Sequence, residues 1–331
     1  MSNEKKINLE PIETSDDKKL DLRPRNLEKF IGQDNLKSNL LTYIESSKKR
    51  KNNLDHIILY GPPGLGKTTL AHIISYEKNV NIHSTSGPAF TKKGDLVTLL
   101  TNLSEDDILF IDEIHRLSPI VEETLYPAME DYKCDYIIGS GPSARVMQIS
   151  IEKFTLIGAT TRLGLLSRPL RDRFGIQLQL DFYNPSDLKN IILLSSKKFN
   201  INIEENAAFE IAKRSRGTPR IAIRLLKRII DFSVVQNLTK ISVEVVEDSL
   251  KKMRIDSEGL DDMDRKYLKC IAVDYNGGPV GIETLSASLL EQKDIIEDVI
   301  EPYLMQKGLV QRTSRGRILS DKGNNHINLT P

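Results

Sequence analysis

The segment Ile58–Leu70, ILYGPPGLGKTTL, constrains the fold of this chain more strongly than its other motifs do. An apolar run leads into a glycine-rich loop, and a helical pattern follows the loop. Two glycines five residues apart before Lys-Thr are typical of a phosphate-binding loop. Such glycines let backbone N–H groups surround phosphate oxygens, and the helix presents its positive N-terminal end to the anion. The segment therefore predicts a nucleoside triphosphate site rather than an ordinary glycine turn.

Two acidic residues supply the predicted second half of this site. An apolar run, Ile108–Ile111, ends in Asp112 and Glu113. Lys67 is expected to reach the β- and γ-phosphates, and the Thr68 hydroxyl and Asp112 are expected to ligate Mg²⁺. Glu113 is expected to orient and deprotonate the attacking water. A second acid at this position favours hydrolysis over transfer to another acceptor.

Further polar residues follow apolar runs later in the chain. The segment Leu156–Arg162 begins as an apolar strand and ends in polar residues, and the hydroxyl of Thr161 at that tip can hydrogen-bond the lytic water or the γ-phosphate. His115 is interpreted as a packing or hydrogen-bonding residue rather than a general base. The arginine-rich stretch Arg168–Gly175 by itself indicates only a solvated surface. Arg220, at the start of a predicted helix, could reach back to the phosphates.

The composition bounds the class of protein. A chain of 331 residues with 39% apolar content predicts two or three soluble domains. Lys and Arg number 47 against 46 Asp and Glu, so the overall charge makes no case for nucleic acid or membrane. The two cysteines, Cys134 and Cys270, cannot form a disulfide framework. No apolar run approaches the ~20 residues of a membrane span, and no signal peptide is evident. These observations predict a cytoplasmic protein.

Three domains are predicted after a flexible N-terminal tail at 1–20. Residues 21–184 alternate strands and helices, as a parallel sheet with crossover helices requires, with strands at His56–Tyr60, Ile108–Ile111 and Thr155–Gly158. Residues 185–256 are purely helical in pattern. Residues 257–331 combine three helices with a strand pair around Gly308–Leu319, which is the winged-helix arrangement.

These elements, in this order, resemble the AAA+ ATPases, with Thr161 and Arg220 as the two sensors. Longer strings resemble the bacterial RuvB family over about residues 20–323, among them LRPRNLEKFIGQ, GATTRLGLLSRPLRDRFG, RGTPRIAIRLL and IEPYLMQKGLVQRTSRGR. The resemblance implies an α/β fold: an AAA+ P-loop parallel-sheet domain, a small all-helical lid and a C-terminal winged helix. It also implies a homohexameric ring that uses ATP and Mg²⁺ to drive double-stranded DNA through Holliday junctions in recombination and repair. The implied partners are RuvA and RuvC.

The resemblance also assigns roles at matching positions. Three residues flank adenine and ribose: Leu22, Arg23 and Tyr183. Four residues hold the phosphates and Mg²⁺: Gly64, Lys67, Thr68 and Thr69. Arg173 is assigned as the arginine finger, which reaches the γ-phosphate bound by a neighbouring subunit. Three residues lie at that same subunit interface: Glu130, Asp131 and Tyr132.

A β-hairpin is predicted at Tyr136–Met147, where two apolar stretches surround Gly-Ser-Gly-Pro. The sequence alone favours an ordinary edge hairpin packed on its own domain. The resemblance reverses this preference and implies that the hairpin docks onto RuvA through an exposed apolar patch. The residues assigned to this patch are Ile137, Ile138, Val146 and Met147.

Two basic stretches are candidates for DNA contact. Residues 213–228 hold seven basic residues and no acids, but Arg220 is assigned to nucleotide, so DNA contact there is the less favoured hypothesis. The stretch Arg312–Arg317 lies between apolar strands and has a glycine for a hairpin tip. Arg312 and Arg317 are therefore predicted to bind DNA phosphates, with a solvated hairpin as the alternative.

Two other functions remain open beside the translocase. A clamp loader or initiator-type switch would use ATP to assemble another ring on DNA, and an unfoldase would thread polypeptide. An unfoldase should carry an aromatic-hydrophobic-glycine pore loop, and Ser86–Gly94 is a poor match. A clamp loader normally ends in a helical collar, whereas this chain is predicted to end in a winged helix. Both features favour the translocase.

Overall fold

The structure, a computed structural model, describes residues 23–138 and 145–329. Two compact units are present: described residues up to 61 together with 66–181 form the first, and 62–65 with 182 onwards form the second. None of the described helices has the length and apolar character needed to span a bilayer. The predicted tail at 1–20 and the predicted nucleotide contact Leu22 lie outside the described residues.

The first unit is built on a parallel sheet and an antiparallel hairpin. Its strands are β1 (Ile57–Tyr60), β2 (Ile82–Ser86), β3 (Ile108–Asp112), β4 (Lys133–Ile138), β5 (Arg145–Ser150), β6 (Thr155–Thr160) and β7 (Ile176–Gln179). Five of them pair in parallel in the order β2-β3-β6-β1-β7. Parallel strands bring their carboxyl ends to one edge, so the ends of β1, β3 and β6 lie side by side there.

The interior strands were predictable because they are apolar along their whole length. Leu109 and Ile157 are fully buried, as expected for strands that are covered on both faces. The three predicted strands are confirmed as β1, β3 and β6, with ends that differ by one or two residues. The edge strands β2 and β7 were not predicted: β2 is half-buried throughout, and β7 alternates buried and exposed residues. Edge strands carry polar residues, so a search for apolar runs misses them.

The first unit has five described α-helices: α1 (Asp34–Arg50), α2 (Lys67–Lys78), α3 (Lys93–Thr101), α4 (Pro119–Glu130) and α5 (Arg168–Asp172). One hydrophobic core joins the sheet to α3, α4 and α5, through residues such as Leu156, Leu100 and Leu125. Beside it, His56 is buried: its Nδ1 accepts from the N–H of Leu156 at 2.9 Å, and Nε2 lies 3.1 Å from the Met129 carbonyl. Burial lowers the pKa of His56 despite the opposing bond to Met129.

The second unit begins with the four helices predicted for residues 185–256: α6 (Pro185–Lys198), α7 (Glu205–Lys213), α8 (Pro219–Val235) and α9 (Val243–Lys252). Asn184 caps α6 by accepting from the N–H of Asp187 at 2.8 Å, and Pro185 occupies the first helical turn. Two short parallel strands, β8 (Asn202–Ile203) and β9 (Lys240–Ile241), connect these helices.

The same unit continues into the predicted winged helix. Its elements are α10 (Asp262–Lys269), α11 (Ile282–Leu289), α12 (Lys293–Ile295), α13 (Glu301–Gln306), β10 (Val310–Thr313), β11 (Gly316–Leu319) and α14 (Asp321–Leu329). Short π-helical stretches extend α10 and join α12 to α13. The predicted strand pair is confirmed as an antiparallel ladder that sets Arg312 opposite Arg317. Helix α14 was not predicted, because its sequence, DKGNNHINL, has a glycine, three asparagines and few apolar residues.

Candidate nucleotide and DNA sites

The glycine loop between β1 and α2 has the backbone geometry that its sequence demands. Gly61 and Gly66 both have positive φ, at 142° and 101°. A Cβ on Gly61 would lie 2.4 Å from the carbonyl oxygen of Leu180, so only glycine fits there. Helix α2 begins at Lys67, directly after the loop. The loop and the helix N-terminus together form the anion-binding arrangement predicted from the sequence.

Lys67 is buried and is bonded to this loop. Its side chain leaves the first turn of α2, and its Nζ donates to the carbonyl of Gly61 at 2.8 Å. The ammonium group is thereby held over the loop that is predicted to cradle phosphates. A buried ammonium favours anionic partners, and the phosphate contact of Lys67 stays a prediction.

The two predicted Mg²⁺ ligands lie together. Thr68 Oγ1 and Asp112 Oδ2 are 3.3 Å apart, at the start of α2 and the end of β3. A hydroxyl and a carboxylate are the hard oxygen donors that Mg²⁺ prefers, and phosphates and waters normally complete its octahedron. The pair therefore fits the ion. Within residues 23–138 and 145–329 there is no cluster of three or more His, Cys, Asp or Glu residues that could hold a metal by itself.

Glu113 lies next to the predicted sensor Thr161. The Thr161 hydroxyl donates to Glu113 Oε2 at 3.4 Å, and the Glu113 N–H donates to Asp112 Oδ1 at 3.0 Å. Glu113 has a left-handed backbone, with φ 48°, which turns the chain sharply at the end of β3. Gly87 makes room for this turn, since a Cβ there would be 2.5 Å from the Glu113 carbonyl oxygen. Asp112, Glu113 and Thr161 are thus brought to one edge of the sheet.

His115 is a member of this group that the sequence did not assign to the site. Its Nδ1 lies 2.9 Å from the hydroxyl of Thr160 and 3.3 Å from Glu113 Oε2. The interpretation of His115 as a hydrogen-bonding residue is confirmed. Its position beside the predicted water-activating carboxylate could not be read from the sequence, because it depends on the pairing of β3 with β6.

Arg173 follows α5 and lies against the end of α4. Its guanidinium donates to the Pro169 carbonyl at 2.7 Å and to Glu130 Oε2 at 3.1 Å, and it stacks on the Tyr126 ring at 4.4 Å. Its Nε is buried without a hydrogen-bond partner among the described residues. The structure therefore brings Arg173 to Glu130, one of the three interface residues predicted from the family.

Neighbouring residues of this predicted interface have ordinary structural contacts. The N–H of Asp131 donates to the Pro127 carbonyl at 3.0 Å, which ends α4. Tyr132 has a left-handed backbone, with φ 53°, and its ring lies edge-on to Phe154 at 6.2 Å. These contacts place both residues at the junction between α4 and β4.

Residues predicted to contact nucleotide also occur in the second unit. The N–H of Arg220 donates to the carbonyl of Gly64 at 3.4 Å, and a Cβ on Gly64 would lie 3.0 Å from that of Arg220. Tyr183 is buried, and its hydroxyl donates to the Leu65 carbonyl at 3.2 Å. Gly64, Tyr183 and Arg220 are thus grouped around the middle of the glycine loop. Arg23, in the first unit, is exposed.

The predicted hairpin is confirmed as the antiparallel pair of β4 and β5, in which Ile137 lies opposite Val146 and Ile138 opposite Arg145. Its predicted tip falls in 139–144, outside the described residues. Of the four residues assigned to the apolar patch, Met147 is described in full, and 46% of its surface is exposed.

The predicted DNA-binding arginines are both paired with acids. Arg317 donates from Nε to Glu301 Oε1 at 2.8 Å and from Nη2 to Glu297 at 2.7 Å. Arg312 donates to the other oxygen of Glu301. The two arginines differ in solvent exposure: 43% of the Arg312 side chain is exposed, compared with 9% of the Arg317 side chain. Arg312 can therefore meet a ligand in this conformation, whereas Arg317 is buried in its ion pair.

Glu301 is the residue that organises this cluster. It is fully buried and also accepts from the Tyr267 hydroxyl at 2.9 Å. Burial alone would raise the pKa of Glu301, but hydrogen bonds from Arg317, Arg312 and Tyr267 hold it below its ordinary value. The sequence did not indicate this role: the glutamate precedes the arginines by 11 and 16 residues and meets them only through the packing of α13 on the hairpin.

Comparisons with known proteins agree with this arrangement of elements. Three family models match in chain order: the Holliday junction DNA helicase RuvB P-loop domain over 22–180, the RuvB AAA lid domain over 183–256 and the RuvB C-terminal winged helix domain over 257–328. Two curated relatives carry the name Holliday junction branch migration complex subunit RuvB. The protein from Rickettsia africae is 54% identical over 97% of this chain and 94% of its own, and that from Orientia tsutsugamushi is 55% identical over 95% and 96%.

The solved structure of the Thermotoga maritima RuvB Holliday junction branch migration motor is also similar. It superposes with a TM-score of 0.86 and 51% identity, over 93% of this chain and 98% of that one. The chain thus matches RuvB proteins in sequence and in fold over nearly its whole length, which includes the P-loop domain, the lid and the winged helix. The chain therefore belongs to the RuvB family.

Proposed function

We propose that this chain is the ATP-driven motor subunit of a complex that moves Holliday junctions along DNA. One observation carries the proposal: four residues predicted for ATP hydrolysis, Thr68, Asp112, Glu113 and Thr161, lie in contact at one edge of the sheet, in the same chain as a winged helix. The relatives named as branch-migration subunits support the same conclusion. An ATPase without a DNA-binding domain, or the reverse, would not suffice for a motor.

The proposed chemistry is hydrolysis of ATP by an activated water. Lys67 binds the β- and γ-phosphates, and Thr68 and Asp112 hold Mg²⁺. When bound, the ion neutralises charge on the phosphate oxygens. Glu113 accepts the proton of the attacking water. Thr161, whose hydroxyl donates to the Glu113 carboxylate at 3.4 Å, orients this water.

The remaining nucleotide contacts are proposed from the family pattern. Gly64 and Thr69 bind phosphate oxygens, Arg220 senses the γ-phosphate, and Leu22, Arg23 and Tyr183 flank adenine and ribose. Arg173 is the finger that reaches the nucleotide of a neighbouring subunit. The exposure of Glu130, the ion-pair partner of Arg173, supports this assignment. Because 56% of the Glu130 side chain is exposed to solvent, an adjacent subunit can reach the pair.

The proposed assembly is a homohexameric ring around double-stranded DNA. The ring docks on RuvA through the β4–β5 hairpin and works with RuvC when junctions are resolved. Arg312 and Arg317 contact DNA phosphates. The three proposed domains span 21–184, 185–256 and 257–331, after the tail at 1–20, and the protein acts in the cytoplasm.

Electron microscopy of the protein with RuvA, a four-way junction and ATP tests this proposal. We expect rings of six subunits, each with duplex DNA passing through its centre. A parallel assay with a labelled junction should show ATP-dependent strand exchange that the Glu113→Gln variant cannot support. An open spiral that delivers another ring to DNA would instead favour a clamp loader or initiator. Rings without duplex in the centre, with an immobile junction, would reject the motor.

A further inference from the structure

Arg216 is a buried arginine in the loop between α7 and α8, and the proposed catalytic and binding roles do not use it. Its Nε donates to the carbonyl of Gly259 at 2.8 Å. Its Nη2 lies 2.8 Å from Asp261 Oδ2 and 2.5 Å from Asp264 Oδ2, and its guanidinium faces the Tyr303 ring at 5.6 Å. All four partners follow residue 256, in the segment matched by the winged-helix family model. Arg216 itself lies in the segment matched by the lid model.

The two carboxylates are held in place by hydrogen bonds that do not involve Arg216. Asp261 and Asp264 form a capping box at the start of α10: Asp261 Oδ1 accepts from the N–H of Asp264 at 3.1 Å, and Asp264 Oδ2 accepts from the N–H of Asp261 at 2.9 Å. The partners of Arg216 are therefore fixed by the helix itself. An arginine fork that binds two fixed carboxylates fixes the orientation of α10 relative to the loop.

The backbone between the lid and the winged helix is also restricted in its conformation. Arg216 has φ 51°, a left-handed conformation that a non-glycine residue keeps only where its surroundings determine it. Gly259 has φ 80°, and a Cβ there would lie 2.7 Å from the carbonyl oxygen of Arg214. The linker backbone thus lies directly against the lid backbone. Burial raises the pKa of Asp264 to about 7, and the neighbouring Arg216 guanidinium opposes that rise because it stabilises the ionised carboxylate.

The other end of the loop contacts the glycine loop. Gly217 accepts from the N–H of Tyr183 at 2.8 Å, and the N–H of Arg220 donates to Gly64 at 3.4 Å. A Cβ on Gly217 would lie 2.9 Å from Phe182 Cβ, so the chain passes closely there as well. Five residues, 216–220, therefore connect a glycine of the phosphate-binding loop to the N-terminus of α10.

We propose that Arg216 is the positioning residue that fixes the winged-helix domain to the nucleotide-contacting loop, so that displacements of this loop during ATP hydrolysis move the DNA-binding domain as one body with the lid. This inference rests on the proposed motor function. Its physical basis is that the fork, the capping box and the close backbone contacts leave no compliant element between Arg220 and α10. A stiff connection transmits a displacement that a flexible linker would absorb.

The first test measures the connection itself. Spin labels placed by Val235→Cys on the lid and Leu290→Cys on the winged helix occupy sites that are 80% and 91% exposed, and the native cysteines are buried. Distances between the two spin labels are measured by double electron–electron resonance without nucleotide, with ADP and with a non-hydrolysable ATP analogue. We expect one narrow distribution in all three states of the parent. Arg216→Ala should broaden it, and Arg216→Lys should restore it only in part, because lysine keeps the charge but loses the fork.

The second test measures coupling of hydrolysis to DNA movement. Arg216→Ala should bind nucleotide and duplex within about twofold of the parent, yet move at least about fivefold fewer base pairs per ATP hydrolysed. Arg254→Ala is the matched control: this arginine also lies between the lid and the winged helix in the chain, but its side chain is 75% exposed and pairs at the surface with Asp262. It should behave as the parent. If Arg216→Ala does not fold, Asp264→Asn removes the shorter of the two ion pairs of Arg216 with little change of shape.

A narrow parent-like distribution in folded Arg216→Ala, or an unchanged number of base pairs per ATP, would overturn the inference. The two tests also separate its failure from that of the proposed function. If the parent itself moves no junction, the motor proposal fails, while the distance measurement still decides whether Arg216 fixes the two domains.

Discussion

The hydroxyl of Thr68 lies 3.3 Å from a carboxylate oxygen of Asp112, although 44 residues separate them in the chain. The contact exists because β3 ends beside the first turn of α2, where parallel strands align their carboxyl ends. The fold thus places side by side the two oxygen atoms that are predicted to bind Mg²⁺. Residues around this pair should therefore affect hydrolysis in distinguishable ways, according to whether they bind phosphate, activate water or complete the site from another subunit.

Glu113→Gln should retain ATP binding and lose hydrolysis. The amide keeps the size of the side chain and can still meet the Thr161 hydroxyl, but it cannot accept a proton from water. General-base removal typically lowers the rate ~10²–10⁴-fold. Steady-state ATPase and equilibrium binding of a fluorescent ATP analogue would measure the two effects. Parent-rate hydrolysis by this variant would mean that another group is the base.

Lys67→Ala should instead weaken ATP binding itself. The buried ammonium, held 2.8 Å from the Gly61 carbonyl, would no longer be available to the phosphates. Loss of one charge-assisted bond corresponds to about 10- to 100-fold in affinity. Lys78→Ala is a suitable control, since this lysine lies at the opposite end of α2 and bonds Ser47. Equal affinities for Lys67→Ala and the parent would exclude the predicted phosphate contact.

Arg173 should act on the nucleotide of a neighbouring subunit. In this chain its guanidinium donates hydrogen bonds to Glu130 and to the Pro169 carbonyl. To contact a phosphate of the neighbouring subunit, the guanidinium must therefore replace its bond to Glu130 by a bond to that phosphate. An arginine finger contributes ~10³-fold or more to the rate. Arg173→Ala and Lys67→Ala should each be inactive alone, and mixed rings should recover part of the ATPase activity.

The control for this experiment is Arg168→Ala, which removes an arginine that is 86% exposed and paired within α5 with Asp172. It should leave the ATPase activity of unmixed rings unchanged. Native mass spectrometry would establish that the mixed rings contain both kinds of subunit. If such rings show no recovery, Arg173 does not act in trans.

The sequence predicted the parts of the site that depend on local pattern. The glycine loop, the two acids at the end of β3 and the polar residues at the end of β6 are each contained in one short segment. A parallel sheet is expected to bring them to one edge, but the contact of Glu113 with Thr161 depends on the pairing of β3 with β6, which the sequence did not predict. The interior position of β1, β3 and β6 did follow from the sequence, because fully apolar strands belong in the interior of such a sheet.

Contacts between distant side chains were not predictable in this way. The burial of Arg317 depends on Glu301, and nothing local indicates that this glutamate faces the hairpin. Arg216 lies in a basic stretch that resembles a solvated surface, yet it is buried against two aspartates that follow 45 and 48 residues later. Charged residues are written alike in a sequence whether they are solvated or paired. Only the packing of helices decides which they are.

Thermal stability should fall as the pH drops below about 6.5, in part through His56. The folded chain lowers the pKa of this histidine below its ordinary value of 6.5, so the unfolded chain binds the proton first. Stability from the neutral imidazole is present above pH 6.5 and is lost as pH falls toward the lower folded pKa, at up to ~1.4 kcal/mol per pH unit.

Melting curves between pH 8 and pH 5 would measure this effect. His56→Gln should reduce the pH dependence, because glutamine does not titrate. His83→Gln is the comparison variant: 40% of that histidine side chain is exposed, and it lies beside Asp107. An identical pH dependence in the parent and His56→Gln would show that the buried imidazole does not contribute.

DNA contact by Arg312 and Arg317 requires a test that respects their ion pairs. Truncating Arg317 alone would leave the fully buried carboxylate of Glu301 without its main partner, which typically costs about 3–5 kcal/mol of stability. The informative comparison is therefore made in a Glu301→Gln background, where no buried charge remains. In that background Arg312→Ala with Arg317→Ala should weaken duplex binding equally on unrelated sequences, because phosphates are the same on all of them.

The salt dependence of this binding separates direct contact from general charge. Each lost phosphate contact flattens the slope of log affinity against log salt by ~1, so the double variant should lose up to ~2. Arg312→Ala alone should account for the first unit, since its guanidinium is already 43% exposed, and Arg317→Ala adds the second only if DNA draws that side chain away from Glu297. Lys293→Ala, which removes a half-exposed charge paired with Glu283 in the same domain, should leave the slope unchanged. If the folded double variant keeps the parent slope, the hairpin arginines serve the fold alone, and the basic face of α8 around Arg224 and Arg228 becomes the candidate to test.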